Sequence, residues 1–401
     1  MAAPANPPRT APWRALPAGI WALGFGSLLM DTSSELIHSL LPVFLVSVLG
    51  ASMVTVGVIE GVAEATAAVM KVFSGTLSDA LGRRKFLMIL GYALAAFTKP
   101  VFPLAQPVGW VFAARFVDRI GKGIRGAPRD ALVADITPPA LRGAAYGLRQ
   151  ALDSVGALFG PLLAVVLMMA LADDVRSVMW IAMIPAFLSV AVLAVYVREP
   201  EPDSDPAAKP PLVLADVRRL PWSYWLVVLL GAVFMLTRFS DAFLVLRAQD
   251  VGLDITYVPL VMIVTNVFYA GAAYPAGAAA DRTSPRTLLL FGLALLIAAD
   301  CLLAFAGSPL AAFAGAGLWG LHMAFTQGLL SKLVADTAPA ALRGTAFGIF
   351  NLISGGALLL ASVIAGTLWN AYGAPATFLA GAAFAAATAA CLLARRPQRT
   401  V

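Results

Sequence analysis

Three ionisable side chains sit inside an apolar run near the start of the 401-residue chain: Asp31, Glu35 and His38. At about 100° per residue, offsets of 0, 4 and 7 fall within roughly a 60° wedge of one helix face. Two carboxylates beside an imidazole can exchange protons, with an affinity set by the charges around them. A second stripe, Arg115, Asp118, Arg119, Lys122, Arg125 and Arg129, recurs at helical spacing further along. Five cations on one buried face need anions, and Asp31, Glu35, Glu60, Glu64, Asp118 and Asp153 can supply them. Arg149, Lys71 and Lys99 add further positive charge.

Ionisable groups within a membrane span face the bundle interior, a water-filled cavity or one another. Two readings of these stripes follow. In one, at least one of Asp31, Glu35 and Asp153 carries a coupled proton. In the other, the charges form a permanent ion-pair network, where removing one partner strands the other in a medium of low dielectric. The readings are compatible, because a carboxylate that loses its cation as helices rearrange gains affinity for a proton.

The second half offers Arg238, Asp241, Asn266, Tyr269, His322, Gln327, Lys332 and Asn351 among many Ala, Leu and Phe. A mostly apolar cavity with a few polar groups suits an amphipathic organic solute. Charge in one half and apolar surface in the other fit proton-driven export of such a solute. The cations of 115–129 also suit an organic anion or a phosphoester, since Arg binds carboxylate and phosphate in fixed geometry. Asp31, Glu35 and His38 are chemically suitable ligands for an exported divalent metal, but the chain has only two histidines and no His-rich loop. No resident metal and no cofactor is expected. No Ser-His-Asp or HExxH pattern is present, so an enzyme is not expected either.

The elements that must carry these stripes follow from composition. Hydrophobic residues make up 60% of the chain and charged residues 12%, against roughly 25% charged in soluble domains. This is an all-α polytopic membrane protein. A span needs about 20 apolar residues, which predicts twelve: 17–47, 52–74, 86–105, 108–134, 143–170, 177–197, 222–246, 255–276, 286–306, 309–333, 344–369 and 374–394. Cys301 and Cys391 lie far apart inside apolar runs and are expected as buried free thiols.

Loop charges orient the spans. Those after spans 2, 4, 6, 8 and 10 hold Arg83, Arg84 and Lys85; Arg142; Arg198, Lys209, Arg218 and Arg219; Arg282 and Arg286; and Arg343. Loops after spans 1, 3, 9 and 11 contain no Lys or Arg. Both termini are therefore expected in the cytoplasm. The net charge of +6 reflects this topology, and no nucleic-acid partner is implied. Residues 1–16 and 395–401 read as cytoplasmic tails, and 198–221, rich in Pro and charge, as a linker between six-helix units at 17–197 and 222–394.

The two units are copies. LVADITPPALRGAAYGL at 132–148 recurs as LVADTAPAALRGTAFGI at 333–349, an offset of 333 − 132 = 201. Gly75 and Asp79 recur as Gly277 and Asp281, an offset of 277 − 75 = 202, and Ser34-Glu35 corresponds loosely to Ser240-Asp241. Such a duplication is common in secondary transporters.

At this point the chain resembles the major facilitator superfamily over essentially its whole length. The family's loop between helices 2 and 3 carries a glycine–aspartate–basic motif that Gly75, Leu77, Asp79, Gly82, Arg83, Arg84 and Lys85 match position by position. Its weaker copy keeps Gly277, Asp281 and Arg282, and the Arg-Gly pairs beginning at Arg142 and Arg343 are also typical. The resemblance implies two pseudo-symmetric six-helix bundles, alternating access, a monomer in the inner (plasma) membrane, and a small-molecule substrate. It also implies that these loop residues latch the halves together. Gly156, Gly160 and Pro161 resemble the antiporter motif of the superfamily's drug:proton exporters, where closely spaced small residues bring helices together and proline kinks them.

Overall fold

The computed structural model describes residues 15–81, 83–138, 141–199, 217, 219–339 and 342–394, excluding the side chains at 75–77, 79–81, 280–282 and 343–344. Residues 1–14 of the expected N-terminal tail, the whole expected C-terminal tail and most of the expected linker lie outside these residues. Lipid offers the backbone no hydrogen bonds, so an apolar chain must satisfy them within each segment. The described residues accordingly form helices and short turns, with no strand among them.

Six segments make the first half: α1 (Ala18–Val43, continuing as a π turn over Phe44–Val48), α2 (Met53–Leu81), α3 (Arg84–Thr98 and Val101–Leu104), α4 (Val108–Ile136), α5 (Arg142–Ala170) and α6 (Val175–Ile181 and Met183–Tyr196). The second half has α7 (Trp222–Leu236 and Ala242–Asp250), α8 (Leu260–Arg282), α9 (Pro285–Ala304), α10 (Pro309–Thr337), α11 (Arg343–Tyr372) and α12 (Ala374–Ala394). Among the described residues, nine helices are long and apolar enough to cross a membrane by length and composition. The three segments outside that set are α4, which is too charged, the broken α7, and α10.

Starts and breaks have local causes. Ser284 and Ser308 cap α9 and α10 by accepting from the Thr287 and Ala311 amides, each with Pro at the first helical position, where its missing N–H costs nothing. Pro100 breaks α3 because it cannot donate to the helix. Helices α2, α8 and α10 run on to Leu81, Arg282 and Thr337, past the expected ends at 74, 276 and 333. Charge ends an apolar run without ending a helix. Gly50 and Gly252, 202 residues apart, both adopt positive φ, +66° and +93°, in the turns that follow α1 and α7. The duplication therefore extends to backbone conformation. Of the two thiols, Cys301 is half-buried and Cys391 is exposed on α12, so the expectation of buried thiols does not hold for Cys391; its helix turns that face away from the bundle.

Within the first half α1 packs on α5 and α6, and α4 on α2 and α3; within the second, α10 packs on α8 and α9, and α9 on α12. The halves meet chiefly where α2 lies along α11, and more lightly where α5 crosses α8. The α2–α11 seam is made by backbone. A Cβ on Gly57 would lie 2.2 Å from the Ser362 carbonyl oxygen, and one on Gly366 2.3 Å from that of Met53.

Candidate functional site

Two adjoining cavities lie between the halves. The inner chamber, about 250 Å³, is lined by α1, α2 and α4 on one side and by 238–245 of α7 on the other. A larger vestibule of about 1130 Å³ shares Glu35, Glu64, Lys122, Ala157 and Asn266 with it and continues past Asp31, Arg129 and Asp153. Because α1 runs from residue 18 toward residue 48, the vestibule extends from the chamber toward the basic end of the molecule, where the loop after α2 lies. The opposite end is shut. There the Gln249 amide donates to Ser47 Oγ at 3.0 Å, and the Thr256 hydroxyl donates to Asp173.

Two aspartates brace that closed end. Asp174 caps α6, accepting from the Ser177 hydroxyl at 2.5 Å and from the Arg176 and Ser177 amides. The Ser177 hydroxyl above all holds the Asp174 carboxyl below the usual carboxylate range. Asp254 accepts from the Thr256 amide at 2.9 Å, a bond that likewise keeps its carboxyl low and fixes the residue whose hydroxyl crosses to Asp173.

Helix α4 meets its counter-charges pair by pair. Arg115 binds Glu60 at 2.7 Å and Arg119 binds Glu64 at 3.0 Å, both from α2. Asp118 pairs with Lys99 of α3 at 3.0 Å, and the same ammonium donates to Ser34 of α1. Arg125 stands 3.8 Å from Asp31 and lies over the Tyr92 ring. Arg129 reaches Asp153 at 3.6 Å and donates to Ser27 at 2.9 Å, while Arg149 binds Asp153 at 2.7 Å. The network expected from the sequence is thus present, with Lys99, Ser27 and Tyr92 as members whose place only the fold shows.

Four chamber charges stay outside this pairing. Among the described residues Glu35 has only His38 as an ion-pair partner, at 3.6 Å, and His38 faces the Arg119 guanidinium on its other side at 3.4 Å. Asp241 accepts from the Trp319 indole at 3.1 Å and pairs with no Lys or Arg among the described residues. Lys122 and Arg238 both line the chamber and form no ion pair among the described residues. Nε and Nη1 of both Arg115 and Arg119, and Nε of Arg238, are buried with no hydrogen-bond partner there.

The motif glycines of α5 have a definite position. A Cβ on Gly156 would meet the Leu28 carbonyl oxygen at 2.6 Å, and one on Gly160 would meet that of Thr32 at 2.7 Å and Glu35 Cβ at 2.8 Å. They seat α5 directly against the turns of α1 that bear Asp31 and Glu35. Pro161, the next residue, is buried within α5.

Other expected site residues lie elsewhere. His322 Nδ1 donates to the Gly292 carbonyl, 2.8 Å away, inside the α9–α10 contact, and neither it nor Gln327 lines the two cavities. Arg84 pairs with Asp135, and Arg142 donates to the Ala134 carbonyl at 3.2 Å. Both contacts tie the end of α4 to its own half. Gly82 lies outside the described residues, as do the side chains at Gly75, Asp79, Asp281, Arg282 and Arg343. One residue the sequence reading passed over is Asp300 of α9, fully buried with both carboxyl oxygens unpartnered among the described residues. Its signal was available, as a lone acid in the apolar run 286–306.

The model for the Major Facilitator Superfamily matches residues 23–248 and 239–401. An uncharacterised MFS-type transporter of Methanocaldococcus jannaschii, MJ1317, is 30% identical over 388 residues, covering 95% of each chain. A shorter match, 28% identical over 163 residues, covers 41% of this chain and 40% of the multidrug resistance protein MdtH of Edwardsiella ictaluri. Among solved structures, a mutant of the nucleoside transporter NupG superposes with a TM-score of 0.79 at 13% identity, over 94% of this chain and 99% of that one.

Proposed function

The chain belongs to the Major Facilitator Superfamily, and from that premise we propose that it couples proton movement to the export of a small organic solute across the inner (plasma) membrane. Membership makes it a multi-pass membrane transporter of small molecules rather than an enzyme. One observation carries the finer reading. Of the chamber's four acids, Glu60 and Glu64 are held by Arg115 and Arg119, whereas Glu35 and Asp241, loosely equivalent in the duplication, form no ion pair with a Lys or Arg among the described residues.

A carboxylate that is in a solvent-reaching cavity and free of a permanent cation can change protonation as its surroundings change. Asp31 and Asp153, further down the vestibule beside Arg125 and Arg129, mark a route for the proton. The positive-inside pattern makes the basic end cytoplasmic, so this conformation is open to the cytoplasm and closed outside. The latch that the family resemblance implies for the loops after α2 and α8 belongs to that open end, which it would close when the transporter reverses. Close seating of α5 on α1 at Gly156 and Gly160 couples helix movement to the environment of Glu35. The match to a protein named for multidrug resistance favours export.

Unpaired Lys122 and Arg238 favour a second reading, carriage of an organic anion. A divalent metal fits less well, because the Arg119 guanidinium stands against His38 and repels a cation there. The deciding experiment is a proteoliposome assay with an imposed pH gradient and a lumenal pH dye, screening organic cations, organic anions and divalent metals. Substrate-dependent proton flux that vanishes in Glu35→Gln and Asp241→Asn supports the proposal. Unchanged flux in both variants would sink it.

A further inference from the structure

The chamber contains two opened charge couples. Lys122 of α4 shares it with Glu35 of α1, and Arg238 shares it with Asp241 at the break of α7, yet neither cation is within ion-pair distance of an acid among the described residues. One couple belongs to each half, so they face each other across the space that a substrate must occupy. Lys122 is exposed to the cavity, whereas Glu35, Arg238 and Asp241 are half-buried, and partly desolvated charges left apart are stabilised by whatever completes them. An organic cation would satisfy the acids and leave both cations bare; an anion would do the reverse.

We propose that the transported solute is a zwitterion, with its carboxylate or phosphate received by Lys122 and Arg238 and its ammonium received by Glu35 and Asp241. This rests on the transport reading and names its substrate class. A bound zwitterion adds no net charge, so the chamber can be loaded without importing uncompensated charge into the membrane. The ammonium and a proton compete for the same carboxylates, which makes their movements opposed.

The test uses full-length protein in proteoliposomes and trios of compounds on three skeletons, aliphatic, aromatic and dipeptide. Each trio comprises the amino acid or peptide, the same molecule without its carboxyl, and the same molecule without its amine. The readouts are protection against thermal unfolding and proton flux. The expected result is that at least one zwitterion protects and drives flux, with both truncated partners at least about tenfold weaker, the equivalent of one lost charged contact. Lys122→Gln should bring the zwitterion to the level of its amine, and Glu35→Gln to the level of its acid. Unchanged baseline unfolding temperatures in both variants show that neither substitution acts by misfolding. An amine or an acid that performs as well as its parent zwitterion overturns the inference, as does the absence of any response across all three trios. Proton flux driven by amines alone would remove the zwitterion and leave proton-coupled export standing.

Discussion

Helices α4 and α10 occupy equivalent places in the two halves and hold them together by different physics. At the offset of 201 between 132 and 333, Arg115, Asp118, Arg119, Lys122, Arg125 and Arg129 correspond to Ala316, Trp319, Gly320, Met323, Thr326 and Leu330. Where α4 buries an aspartate against Lys99, α10 buries Trp319 against Phe239, in a cluster that continues through Phe243, Phe378 and Trp369. Lys99 itself corresponds to Asp300, so a buried basic residue with a partner is replaced by a buried acidic one with none among the described residues. Aromatic packing degrades gradually as atoms are removed, whereas an ion pair fails when one member goes. One half is thus specified by charge complementarity and the other by shape.

The sharpest break in that contrast is Lys99→Met, which strands Asp118 and should cost about 3–5 kcal/mol. The double variant Lys99→Met/Asp118→Leu should recover most of the loss in thermal unfolding of detergent-solubilised protein. Next comes Trp319→Phe, which keeps most of the ring but removes the donor to Asp241, at about 1.5–3 kcal/mol. Proton-linked flux should suffer more than yield. A Trp319→Phe loss equal to that of Lys99→Met would erase the distinction between the halves.

Gly160→Ala should cost about 1–3 kcal/mol by pushing α5 off α1 and should slow transport beyond what that loss explains, as read from turnover at matched expression. Thr256→Val removes one hydrogen bond across the closed end, about 0.5–1.5 kcal/mol. It should shift spin-label distances between the Ser47 and Gln249 regions toward an open state. The smallest effect is pH. Asp174 and Asp254 both hold carboxyls below the usual range, so their bracing is complete above that range and is lost only as pH falls below it. The same distances should be constant from neutral pH down to the ordinary carboxylate range and widen below it.

Much of this was legible in the residues. Spacing placed Asp31, Glu35 and His38 on one face and α4 on another, and the repeat paired Glu35 with Asp241 before the two were seen in one chamber. Periodicity reports a face but not the helix opposite it, so the assignment of Glu60 to Arg115 and Glu64 to Arg119 needed the fold. The break of α7 at 237–241 carries no proline or glycine, and nothing in the residue types marks it. His322 was expected near the substrate on chemistry alone; its ring is instead spent on the Gly292 carbonyl.

The pairing of α4 has a consequence for how the chain is made. By composition α4 is a poor membrane segment, absent from the helices apolar enough to cross unaided. Yet Asp31, Glu60, Glu64 and Lys99, which neutralise Arg125, Arg115, Arg119 and Asp118, all precede it in the chain. In the order of synthesis these counter-ions come before α4, and only Asp153, the partner of Arg129, comes after it. The order of the sequence is therefore an order of assembly, in which the first three helices form the solvent that admits the fourth.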